Sequence, residues 1–278
     1  MSRREMKNII TCLCLLTLTS STVLAQTEED SVRGGRIITS SYMIGAGVSK
    51  ILDTYLSQEH FSGPGLTYLA TIQKRKPGRK WSTLMEHQAN ISYVDDRSDD
   101  TEELQGDYTF LWGRLRQWKL LGNRLELEAG GMAMGNIGFI YNTANGNNPA
   151  QARLSLNIMP TGTATYKFRL WGRRMALRYE MQLPLVGLMF SPNYGQSYYE
   201  IFSQGNYDHN CVPTTFVSAP TMRYQFTADI NISRKLTLRM GYLGDLQQAD
   251  VNDLKSHIYS HRFMIGFVRE FRLTNYRP

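Results

Sequence analysis

The sequence predicts an all-β fold, a single closed antiparallel up-and-down transmembrane β-barrel of about ten strands, with twelve as the alternative count. Three observations lead there. Stretch after stretch alternates apolar and polar side chains with a period of two, as a strand does when its faces meet different surroundings. The connections alternate long and short along the chain, as they do when short periplasmic turns face longer outer loops. Beyond the first 25 residues no apolar run approaches the ~20 residues a membrane helix needs. A mean hydropathy of −0.36 is compatible with a barrel, whose strands hide half their side chains from lipid.

The N-terminus carries Arg3, Arg4 and Lys7, the apolar run from Ile9 to Leu18, and Val23-Leu24-Ala25 before Gln26. That order of charge, apolar run and small-residue site predicts a signal peptide over 1–25. Residues 26–36 follow as a periplasmic segment, and the barrel occupies 37–278. After residue 25 the net charge is about +5, scattered rather than gathered into a basic stripe, which argues against a nucleic-acid partner. Cys211 alone remains, so no internal disulfide forms, and neither a C-x-x-C pair nor any cofactor motif is present.

The ten strands are placed at 37–50, 65–76, 80–94, 102–118, 124–140, 152–170, 175–189, 221–232, 236–248 and 257–272. Tight turns fall at Pro77-Gly78-Arg79, Leu121-Gly122-Asn123, Trp171 to Arg174 and Ser233-Arg234-Lys235. Longer loops fall at 51–64, 95–101, 141–151, 190–220 and 249–256. The last strand puts Tyr259, His261, Phe263, Ile265, Phe267, Arg269 and Phe271 on one face, with Ser260, Arg262, Met264, Gly266 and Val268 opposite. Strand 221–232 sets Met222, Tyr224, Phe226, Ala228 and Ile230 against Arg223, Gln225, Thr227, Asp229 and Asn231. Strand 175–189 sets Met175, Leu177, Tyr179 and Met181 against Ala176, Arg178, Glu180 and Gln182. A charge facing hydrocarbon costs roughly 2–4 kcal/mol at the midplane, so the polar sets are expected to point inward.

Two residues break the pattern. His87 falls on the oily side of its strand, for which a bulge or a place near the rim is expected. Arg269 lies on the oily side of the last strand, within reach of headgroups.

A ten-stranded barrel is narrow and its interior is largely filled by side chains. The inward set holds Glu86, Glu103, Asp107, Glu126 and Glu128 on earlier strands. Arg153, Lys167, Arg169, Arg178, Arg223, Arg239 and Arg262 lie mostly on later ones. Buried charges need partners, so a cross-lumen ion-pair network is expected. A pathway for a charged solute is the sharper alternative, which the narrow bore opposes.

Closure makes the first and last strands neighbours and draws Asp53 and Tyr55 toward His257, Ser260 and His261 at the outer rim. These are the candidate catalytic residues. A nucleophile and its base must lie within hydrogen-bond reach. Barrel phospholipases and lipid A deacylases carry Ser and His at such a rim, but Ser260 and His261 are consecutive in a strand and point to opposite faces, so they cannot pair directly. Asp208, His209 and Cys211 in the long loop form a poor metal set without a second cluster. The loop itself, near 190–220, is long enough to act as a lid or to contact a partner.

Leu52-Asp53-Thr54-Tyr55-Leu56-Ser57 with Phe61-Ser62-Gly63, and the closing Ser260-His261-x-Phe263-Met264-Ile265-Gly266-Phe267, resemble a family of outer-membrane proteins from Bacteroidetes known only as a domain of unknown function. The resemblance covers nearly all of the chain after residue 25, and departs at Gln58-Glu59-His60, where a Pro after the Ser is more usual. It implies an outer-membrane β-barrel and no particular activity. The expectation is thus a bacterial outer-membrane protein in contact with outer-membrane lipids and the assembly machinery. Its outer loops would engage an extracellular ligand or envelope protein, with a rim hydrolase and a narrow channel as alternatives.

Overall fold

The computed structural model describes residues 35–146, 148–233 and 236–273. The expected signal peptide and nearly all of segment 26–36 lie outside the described residues, as do Arg234, Lys235 and the tail after Leu273. The strands are β1 (Arg36–Asp53), β2 (Phe61–Arg75), β3 (Trp81–Asp95), β4 (Glu102–Leu120), β5 (Leu125–Asn142), β6 (Ala150–Leu170), β7 (Arg173–Gln182), β8 (Val186–Phe190), β9 (Cys211–Thr215), β10 (Met222–Asn231), β11 (Thr237–Val251) and β12 (Leu254–Leu273). All pairings are antiparallel, and β1 pairs with β12 from Arg36↔Leu273 to Asp53↔Ser256. This seam closes a ten-position barrel to which β8 and β9 are added at one end.

The additional strands come from two interruptions. Thr161 pairs with Gln182, but Ile158 pairs with Val186, so three steps along β6 match four along its neighbour. The extra residue is a bulge at Pro184, which has no N–H for the ladder. Around it Leu183 N–H and Leu185 N–H still donate to the carbonyls of Pro160 and Ile158. The predicted strand 175–189 is therefore β7 and β8 in line. β9 lies within the stretch expected to be loop 190–220, a correction to that reading.

Strands generally run further toward the loop end than expected. The predicted loop 249–256 is a hairpin in which only Asn252 and Asp253 leave the ladder, both at positive φ (55° and 59°). Asn and Asp tolerate that conformation better than other side chains and favour two-residue hairpin turns. The alternation of long and short connections therefore fails at this fifth loop-end connection.

Facing follows the period. Ile44 (65% exposed) and Phe263 (63%) point out, while Met43, Arg262 and Met264 are buried inside. All four tryptophans, at 81, 112, 118 and 171, are on the outside. Arg114 and Arg116 lie over the rings of Trp81 and Trp118, and Arg269 lies over Phe267. His87 needs no bulge, since the ladder runs unbroken through it. Its Nδ1 instead meets the Tyr108 hydroxyl at 2.6 Å, which satisfies a polar ring on an apolar wall.

Inside, apolar layers separate polar ones. One layer near the loop end is Ile51, Leu56, Phe61, Val94, Ile140 and Ile258. Others are built on Leu84, Leu111, Leu115, Met132 and Met159, and on Met43, Leu69, Leu243 and Met264. The connection after β8 carries α1 (Tyr198–Phe202), capped by Ser197 and Glu200 in a reciprocal box. Ile201 is buried beneath it.

Replacing Asp253 by Val, whose branched side chain resists positive φ, should cost roughly 1–2 kcal/mol. Asp253→Gly should not carry this backbone cost. The check is the urea midpoint of protein refolded in detergent.

Candidate functional site

Arg223, on β10 and 4% exposed, is the hub of the lumen. Its Nη1 donates to Glu86 Oε2 at 2.6 Å and its Nε to Gln88 Oε1 at 2.7 Å. Gln88 passes the chain on, donating to Asp245 at 2.7 Å. Gln182 donates to both Glu86 and Glu180, and Glu180 receives Arg178 at 2.6 Å. Arg178 also approaches Glu128 at 3.9 Å, which Arg75 reaches at 3.2 Å. Toward the tight-turn end Lys167 meets Glu126 at 2.6 Å and Arg239 meets Asp229 at 2.6 Å. Of the expected network members Lys167 and Arg169 are exposed, and Arg169 pairs with no carboxylate among the described residues. Arg75, Glu180, Asp229 and Asp245 complete the network. All four share the inward parity of their strands, the signal by which they could have been found.

Arg262 is held differently. It is fully buried, and among the described residues no carboxylate reaches it within ion-pair distance. Its guanidinium donates to the Val48 carbonyl (2.5 Å), Thr67 Oγ1 (3.2 Å), Ser49 Oγ (2.7 Å) and Ser92 Oγ (3.1 Å). Gly65 makes the room, because a Cβ there would stand 2.2 Å from Arg262 Nη2.

At the loop end Asp53 is buried, with Arg153 Nη1 3.8 Å away and Oδ2 without a hydrogen bond. Glu103 accepts from Asn142 at 3.0 Å, and its second oxygen is likewise unpartnered. Asp107 accepts from Asn90 and Gln105. Tyr55 and Tyr198 meet edge to face, and Tyr198 donates to Gln151 at 2.7 Å. Burial, and then the charges of Asp53 and Glu200, push the Tyr55 phenol up to about 12. Asn252 Nδ2 donates to the carbonyls of Ser191 and His209. Segment 191–210 is thereby tied to β6 and to two loop-end connections, as a lid would be.

The candidate catalytic residues are neighbours in register and separated by the wall. Leu52 pairs with His257, Ser49 with Ser260 and Val48 with His261. Asp53 and Ser260 face the lumen, where Ser260 bonds Ser49 Oγ at 3.1 Å. His257 and His261 share the opposite face. His257 stacks on Tyr259 and lies beside His60, and His261 Nδ1 bonds the Tyr242 hydroxyl. Tyr55 lies beyond the strand, among the lid aromatics. The structure brings no serine–imidazole pair together among these five. Asp208 pairs with His209 at 2.6 Å on the exposed loop, and Cys211 is exposed and free.

Residues 9–278 match the family described as protein of unknown function (DUF3316). The chain belongs to that family. No curated protein matches it in sequence. Among solved structures it is similar to the outer membrane protease OmpT from Escherichia coli, at 8% identity and TM-score 0.46, covering 87% of this chain and 99% of that one. Neisserial surface protein A is similar at 8% identity and TM-score 0.36, covering 84% and 97%. An outer membrane channel from Pseudomonas putida F1 is similar at 12% identity and TM-score 0.34, covering 90% and 100%.

Arg223→Met should destabilise this family member by about 3–5 kcal/mol, because it leaves Glu86 buried and uncompensated. Adding Glu86→Gln to it should recover part of that loss. Urea unfolding of the two single variants and the double variant measures the coupling.

Proposed function

We propose that the protein is a bacterial outer-membrane β-barrel that acts as a non-enzymatic envelope or binding protein, presenting its loop end outside the cell. One observation carries the placement: the outward face of a closed barrel is largely apolar while most charges of its strands lie within it. In water this arrangement would leave Ile44, Val48, Phe263 and Ile265 exposed together on the paired β1 and β12, far more apolar wall than a soluble monomer normally shows. Hydrocarbon around the wall removes that penalty. The exposed tryptophans and the arginines over two of them suit the membrane interfaces. In this placement the tight turns lie in the periplasm and the bilayer lipids are the protein's first partners. The Bacteroidetes origin implied by the resemblance, the removed leader and insertion by the assembly machinery belong to the same proposal.

The binding role rests on the loop end. Tyr194, Tyr199, Phe202 and Tyr207 expose their rings on segment 191–210, whose backbone is fixed by α1 and by Asn252. Rigid aromatic rings offer contact area at low entropic cost, which suits an extracellular ligand or an envelope protein. Separation of Ser260 from the imidazoles supports this reading over a rim hydrolase. The apolar layers and ion pairs across the lumen support it over a narrow channel.

Phe263→Arg should cost roughly 2–4 kcal/mol in a bilayer and lower the folded fraction in outer-membrane extracts, read as heat-modifiable mobility. Phe263→Leu should not. Recovery of the chain in the soluble fraction would overturn the placement, and steady single-channel conductance in a planar bilayer would overturn the binding role in favour of a channel.

A further inference from the structure

The barrel wall is incomplete at one place near its loop end. β9 hydrogen-bonds with β8 on one side and with no strand on the other. The part of β11 that borders it, Gln247–Val251, pairs only with β12. Eight steps along the chain from Thr215 to Arg223 match only four on the neighbouring strand, from Val186 back to Gln182. The chain therefore swings out of the ladder between β9 and β10. Among the described residues a single backbone bond bridges the gap, from Asp250 N–H to the Ser218 carbonyl at 2.9 Å. Pro184, Pro213 and Pro220 lie at or beside it. None has an N–H to donate, so the ladder cannot be completed at those positions.

A cavity of about 50 Å³ lies at this gap. Its lining runs from Thr109 and Arg153 on the lumen side, past Thr214 and Ala249, to the outward-facing Gln248. Its charges are unequal, two guanidiniums to one carboxylate. Asp245 is already engaged by Gln88. Arg153 has only Gln247 at 3.4 Å and Asp53 at 3.8 Å. Arg223 Nη2 is buried without any partner, a donor normally left so only when something else is to fill the place. Outside the gap the rim is apolar. Val217 is 88% exposed and Leu185 60%, with Phe216 and Leu188 beside them.

We propose that this gap is a lateral port, through which the anionic head of a membrane amphiphile reaches Arg153 and Arg223 while its tail stays against the apolar rim. The proposal rests on the outer-membrane placement. The head is an oxyanion, since guanidinium donors at a low-dielectric site favour carboxylate or phosphate. Either a fatty acid or a phosphate-bearing lipid supplies it.

The experiment titrates the full barrel, folded in dodecyl maltoside micelles, with dodecyl phosphate and separately with dodecanoate, read by isothermal titration calorimetry. The neutral detergent is in excess throughout, so only preference for the anionic head gives a saturable signal. One site per chain is expected. Ala249→Phe, which fills the cavity without touching a charge, should weaken binding at least roughly tenfold, about 1.4 kcal/mol. Ala219→Leu at the same lining is the second variant, read if the phenylalanine does not fold by heat-modifiable mobility. Saturation by the phosphate alone assigns a phosphate-bearing lipid, and by the carboxylate alone a fatty acid. Absence of a saturable signal for both, or binding unchanged in the folded cavity-filling variant, overturns the port. Recovery of the chain in the soluble fraction is a separate result and overturns the placement instead.

Discussion

Closure of β1 on β12 is the constraint from which the rest of the structure follows. Paired from Arg36↔Leu273 to Asp53↔Ser256, the two terminal strands leave the barrel without the open edge that a sheet otherwise presents. Once the ring is shut, each strand has an inner and an outer face and every second residue must suit one or the other. Charges turned inward cannot reach bulk water and must satisfy one another. The relay from Arg75 through Glu128, Arg178, Glu180 and Gln182 to Glu86, Arg223, Gln88 and Asp245 is the outcome. Removing one member exposes its partner to a desolvation cost far above that of a surface pair.

Arg262 shows that charge balance is not the sole means of satisfying a buried guanidinium. Three hydroxyls and the Val48 carbonyl take its protons, and Gly65 supplies the space. A side chain at that position would displace the guanidinium from its acceptors, so the glycine is needed for close approach rather than for a turn. The serines that surround it come from β1 and β3, which Arg262 joins across the seam.

The gap beside β9 is the exception to closure. Proline at Pro184 and an excursion between Thr215 and Arg223 relieve the ladder on one side of the barrel, and a cavity holding an unpartnered guanidinium nitrogen lies behind it. In the connection between β8 and β9, α1 and its flanking segment are pinned by Tyr198, Gln151 and Asn252. The loop end thus joins a fixed lid to a locally open wall.

The amino-acid pattern by itself determined the class of fold, the inward and outward sets of most strands and the β1–β12 seam, because side-chain alternation is a local property that survives without knowledge of neighbours. Ser260 and His261 could be assigned to opposite faces on that ground alone. Tertiary structure decided which charge meets which: Arg223 takes Glu86, 137 residues away, and Arg262 takes hydroxyls and a carbonyl in place of any carboxylate among the described residues. It also decided that His87 is satisfied by Tyr108, that Asn252-Asp253 closes a tight hairpin, and that a short strand lies inside the longest loop. Those outcomes depend on strand register and barrel diameter, which arise only when distant segments pair, so no window of sequence contains them.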